Sequence, residues 1–80
     1  MKNKIFEDEV ENFLYNIKWL RHNARLTQTA MAKRLGISIK TLKVIESGQL
    51  PARTNTDIIF RIDREFGISP NEQFGRKLGE

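Results

Sequence analysis

The 80-residue chain contains no cysteine, so neither a disulfide framework nor a thiolate metal site can hold it together, and side-chain packing must do that work. Its single histidine, His22, has no second imidazole or carboxylate cluster near it in sequence, which removes the usual materials of a metal site or proton relay. No run of about 18 apolar residues is present, so no helix is expected to span a membrane. The opening MKNKIFEDEVE places acids where a secretory signal would need an apolar core, and cytoplasmic residence is the expectation. Internal repeats and low-complexity stretches are absent. The length suits one domain with a modest core and is too small for a deep catalytic cleft joined to a cofactor fold. Thr27, Ser38 and Ser69 precede helical patterns and lack a neighbouring base, so no nucleophile is indicated. An enzyme is therefore not expected, nor a cofactor, nor a metal.

What the chain does have is helical periodicity, most informative over residues 27–48, TQTAMAKRLGISIKTLKVIESG. Thr27 is placed to cap a helix over 28–35 in which Ala30, Met31, Ala32 and Leu35 gather on one side, with Gln28, Thr29, Lys33 and Arg34 on the other. Gly36 follows where a left-handed residue ends a helix at no steric cost, and Ile37 puts an apolar side chain into the turn. Ser38 then caps a second helix over 39–47, with Leu42 and Ile45 inward and Val44 beside them, closed by Gly48 and Pro51. Small residues at 30 and 32 allow the close approach that a three-residue turn demands. Two short helices joined in this way form a helix-turn-helix, whose second helix enters the DNA major groove.

Further helices flank this pair. Asp8 with Glu11 reads as a capping box opening a helix over 8–23, and Val10, Phe13, Leu14, Ile17, Leu20 and Ala24 form its apolar stripe. Glu7, Asp8, Glu9 and Glu11 are read as helix-start acids, favoured there by the macrodipole, and not as paired catalytic carboxylates. Residues 1–7 stand outside this pattern as an N-terminal extension. Thr54 or Asn55 can cap a helix over 54–66 carrying Ile58, Ile59, Ile62 and Phe66 up to Gly67. Ser69 and Pro70 start a last helix over 70–77 that carries Phe74 and Leu78 at its end.

Charge is concentrated on the central segment. Residues 18–53 hold eight basic side chains, Lys18, Arg21, Arg25, Lys33, Arg34, Lys40, Lys43 and Arg53, against Glu46 alone, whereas residues 1–17 sum to −2 and residues 54–80 to −1. A basic face of this kind is the electrostatic footprint of a phosphate-binding surface.

The segments IKWLR (17–21), LTQ (26–28), MAKRLGIS (31–38), IESG (45–48) and FGISPNEQF (66–74) together resemble the Cro/CI-type (Xre) helix-turn-helix repressors. The resemblance covers Ile17 to Phe74 and implies an all-α, compact five-helix domain of the lambda-repressor type. It implies binding to double-stranded DNA, with Ile39, Lys40, Thr41, Lys43 and Val44 as reading positions and Gln28, Gln49, Arg53 and Lys18 at phosphates. In the reading set, Lys40 or Lys43 can donate to guanine and Ile39 or Val44 can pack on a thymine methyl, but no Gln, Asn or Arg is present for a bidentate contact to adenine. The resemblance further implies a partly buried ion pair between Arg21 and Glu46 that sets the angle of the second helix.

Tyr15 and Trp19 lie off the apolar stripe of the first helix, so Trp19 belongs at the core edge or in solvent. Two readings are open: a contact with a second protomer or another protein, or a cover formed by the N-terminal segment with Ile5 and Phe6. Phe74 and Leu78 likewise offer either a dimer surface or closure of the monomer core. The overall expectation is a repressor of phage or prophage type, working as a homodimer. The alternative is a protein-interaction module, such as an antitoxin, with secondary DNA binding.

Overall fold

The computed structural model describes residues 4–52 and 55–80. It is all-α, with five helices and no strand among the described residues: α1 (Lys4–Asn23), α2 (Gln28–Leu35), α3 (Ile39–Glu46), α4 (Asp57–Phe66) and α5 (Pro70–Gly75). Helix α1 packs against α3 and α5, α2 against α3 and α4, and α4 against α5, so the helix-turn-helix is gripped from both sides.

The core is the set of stripes that the periodicity marks. Phe13, Leu14, Ile17 and Leu20 of α1 meet Met31, Ala32 and Leu35 of α2, Leu42 and Ile45 of α3, and Ile58 and Ile62 of α4. Full burial of one such side chain stabilises by about 1.5–3 kcal/mol, which explains why eleven or so of them suffice for a small domain without covalent staples. Ala24, placed on the stripe by its spacing, is exposed because α1 ends at Asn23. Arg25 sits in the left-handed region at φ 57°, and Leu26 N donates to Arg21 O (3.0 Å) while Arg25 N donates to His22 O (3.1 Å). This is a Schellman ending built on a residue other than glycine.

Four helix boundaries differ from the spacing-based expectation, the smallest difference being at α3, which ends at Glu46 with Ser47 as its C-cap. Helix α1 starts at Lys4 and not at Asp8, so positions 4–7 belong to the helix and Asp8 with Glu11 lies inside it. Lys, Glu and Phe at 4–9 continue a helix without a breaker, and Glu7 still falls in the first turn, where negative charge is favoured. Helix α4 starts at Asp57, because Asn55 Oδ1 accepts from Asp57 N (2.9 Å) and holds the preceding residues in a turn; Thr54, the other expected cap, lies outside the described residues. Helix α5 stops at Gly75, short of position 77. Its start is as expected, with Pro70 in the first turn and a reciprocal capping box between Ser69 and Glu72.

Asn16 explains the early stop. This α1 side chain is fully buried, donates Nδ2 to Gln73 O (2.9 Å) and Arg76 O (2.8 Å), and accepts from Leu78 N (2.7 Å). Those bonds hold Arg76 in an extended conformation and turn the chain back along α1, burying Leu78. Asn12 Nδ2 adds a bond to Phe74 O (2.9 Å), and the buried Gln73 ties α5 to Ile59 O (3.0 Å) and Ile68 O (2.9 Å).

Candidate nucleic-acid interface

The two helices of the motif carry the caps their sequence specifies. Thr27 Oγ1 accepts from Ala30 N (3.1 Å) at the start of α2, and Ser38 Oγ accepts from Thr41 N (3.0 Å) at the start of α3. Between them Gly36 is left-handed at φ 69°, and the Arg61 guanidinium of α4 comes within 2.8 Å of where a Cβ would stand. A side chain at position 36 would meet both the backbone penalty and that cation. The turn thus lies against the Arg61 side chain of α4 as well as being closed by its glycine.

Helix α3 turns Leu42 and Ile45 fully into the core and leaves Lys40, Lys43 and Ser47 exposed with Val44 half-buried between them. These four lie three or four residues apart on one face. Ile39, 39% exposed, and Thr41, half-buried with its hydroxyl accepting from Ser38 Oγ (2.9 Å), flank that face on opposite sides. All five expected reading positions are therefore on the outer half of α3, with Val44 turned partly toward the core. Ser47, the C-cap, joins the face; its hydroxyl donates to Val44 O (2.6 Å).

Electrostatics single out these two helices. Helices α1, α4 and α5 each carry an acid in the first turn, Glu7, Asp57 and Glu72, whereas α2 and α3 carry none. No acid of their own first turns opposes the positive ends of their dipoles, which suits a phosphate backbone. Lys18, Arg25, Lys33, Arg34, Lys40 and Lys43 are exposed, and Arg34 also lies 5.9 Å from the centre of the Phe66 ring.

Arg21 is withdrawn from that basic surface. Its Nε donates to Glu46 Oε2 (2.6 Å) and its Nη2 to Glu46 Oε1 (2.9 Å), a bidentate pair joining the end of α1 to the last residue of α3. Nη1 donates to Leu26 O (3.0 Å), and the two side chains are only 14% and 6% exposed. The Glu46 hydrogen bond raises the Arg21 pKa, against the effect of its own desolvation. Burial pushes the Glu46 carboxyl up, but the Arg21 and Gln28 hydrogen bonds and the Arg21 charge outweigh it and hold the group below the usual carboxylate range.

Gln28, expected at a phosphate, donates Nε2 to Glu46 Oε1 (3.2 Å) and is half-buried. A carboxamide has a second N–H, and a phosphate contact from this position would use it. Gln49 is exposed just beyond α3, Arg53 lies outside the described residues, and Lys18 lines a hollow of about 520 Å³ whose far wall includes Ser47 and Gly48.

The expected interface residues divide. Leu78 is buried in the core, and Phe74, half-buried, stacks on Phe13 with ring centres 4.6 Å apart and planes within 4°, so both help to close the monomer. Trp19 is half-buried against the C-terminal turn: a Cβ on Gly79 would overlap its indole ring; Phe6 is exposed, and the Ile5 side chain lies outside the described residues. Tyr15 stays 39% exposed with the Lys77 ammonium 5.4 Å from its ring centre. Sequence reasoning missed Asn16, Gln73 and the left-handed Arg25. An Asn in the middle of an apolar stripe was the available signal for the first.

Residues 15–77 match the family described as helix-turn-helix domain, and the chain belongs to it. Membership supports a DNA-binding regulator, since this element reads DNA through its second helix. No curated protein and no solved structure matches the chain. Among the described residues no helix is long and apolar enough to cross a membrane.

Proposed function

We propose that this domain is a sequence-specific DNA-binding regulator of Cro/CI (Xre) type, a repressor of the phage or prophage kind that occupies an operator with α3 in the major groove. The observation that carries this reading is the outer face of α3. Lys40, Lys43 and Ser47 project from a helix whose inner residues are locked in the core, and the Arg21–Glu46 pair fixes the helix end. Two lysines beside Ile39 and Val44 suit guanine edges and thymine methyls, and Gln49, Arg53, Lys18 and the second N–H of Gln28 would position the protein on phosphates. One recognition helix of two turns touches too few bases to be selective alone, so two copies on an inverted repeat about 34 Å apart are expected.

Selection of binding sites from randomised duplex DNA at near-physiological salt tests the reading. An enriched inverted repeat is the expected result. Replacing Lys40 and Lys43 by alanine should then relax base preference as well as weaken binding, whereas an equal loss on every sequence would assign them to phosphates. Weak binding without enrichment, abolished by salt, would overturn the operator reading and favour a protein-interaction module of the antitoxin kind, with secondary DNA binding and the exposed Tyr15 as its contact.

A further inference from the structure

The solvent side of α1 carries a pattern that the core does not use and from which the DNA-binding reading takes Lys18 alone. Glu7, Glu11, Tyr15, Lys18 and His22 recur at intervals of four, four, three and four residues and are all exposed, so they form one continuous stripe along the helix. Acids occupy its N-terminal half, bases its C-terminal half, and the aromatic ring sits at the middle. Hollows lie on both sides of Tyr15, one of about 520 Å³ toward α3 with Leu50 at its rim, the other of about 230 Å³ toward Trp19 and His22. Leu50 is 52% exposed, which adds an apolar side chain beside the ring.

A stripe of this composition is complementary to its own reverse. We propose that a second copy of this chain docks here, with the two α1 helices antiparallel about a two-fold axis beside Tyr15. In that register Glu11 of each copy faces Lys18 of the other, Glu7 faces His22, and the two Tyr15 rings meet at the axis. A two-fold interface repeats each contact, so the Glu11–Lys18 pairing occurs twice. Glu11 pairs with the half-buried Lys77 at 3.7 Å, and its side chain is still 66% exposed, leaving acceptor positions for a partner. A parallel arrangement would oppose like charges along the whole stripe, and an unrelated partner would have to reproduce the same charge order.

Sedimentation velocity without DNA, over a range of protein concentrations, tests the pairing independently of any operator, so that loss of DNA binding and loss of pairing are read separately. The wild-type chain should associate reversibly. Glu11→Lys and Lys18→Glu should each weaken association about tenfold or more, since each change turns two attractive pairs into two repulsive ones. An equimolar mixture of the two variants should recover wild-type association, because one then carries lysine and the other glutamate at both positions. Tyr15→Ala should also weaken association, with thermal melts confirming that all variants are folded. A wild-type chain that stays monomeric throughout, folded single variants that associate unchanged, or a mixture no tighter than its components would each overturn the proposal.

Discussion

Glu46→Ala probes the join between α1 and the end of the recognition helix. The substitution removes the acceptor of three hydrogen bonds, two from Arg21 and one from Gln28, and leaves a guanidinium that is only 14% exposed with Leu26 O as its remaining backbone partner. Breaking one side of a buried pair costs about 3–5 kcal/mol. Arg21 keeps a carbonyl partner and some contact with water, so the lower end, about 3 kcal/mol, applies here. That is a large share of the roughly 5–15 kcal/mol that stabilises a small domain. At about 4–8 °C per kcal/mol for a chain of this size, the melting temperature followed by circular dichroism should fall by about 12–24 °C. A fall below about 4 °C would refute the reasoning. The pair as a whole contributes less than its rupture suggests, because desolvating both charges offsets much of their attraction. The joint replacement Arg21→Met with Glu46→Leu should therefore melt above either single Arg21→Met or Glu46→Leu, and a double variant less stable than both would show the pair to be a net stabiliser.

The same pair sets an acid limit. Glu46 is held below its ordinary value in the folded state, so its contribution is fully present above the unfolded value of about 4.3 and is lost as pH falls through the lower folded value. Melting temperature should drop from about pH 4 downward, and the drop should be shallower in Glu46→Ala. Asn16→Leu strips the buried Leu78 N–H and two carbonyls of their partner and should cost about 2–4 kcal/mol. Freed from Asn16, the C-terminal turn uncovers Trp19, and its emission should shift to the red; unchanged emission would place the cover elsewhere. Gly79→Ala should give the same red shift with a smaller loss of stability, because a Cβ there overlaps the indole at a φ of 84°. Arg25→Gly relieves a left-handed arginine and should stabilise by about 0.5–1 kcal/mol, checked by urea denaturation; a destabilised variant would mean that the arginine side chain packs more than its exposure indicates.

The helices of the motif, their caps and the inward residues were decided by local sequence. A capping hydroxyl, a glycine at the turn and apolar residues every three or four positions each act within one or two turns of helix, so Thr27, Gly36 and Ser38 lie where a short window places them. The concentration of cations on residues 18–53 was equally legible, because charge needs no fold to be counted. Which of those cations faces solvent was decided only by the tertiary structure. Arg21 leaves the basic face because Glu46, 25 residues away, arrives beside it, and Gln28 is drawn into the same network. The C-terminal turn was settled the same way: residues 76–78 have helical spacing, but the buried amide of Asn16, some 60 residues earlier, offers hydrogen bonds that a continued helix would forgo, and Leu78 joins the core with Phe74 packed against it. Local propensity is worth a few tenths of a kcal/mol per residue, and a buried amide with three partners outweighs it.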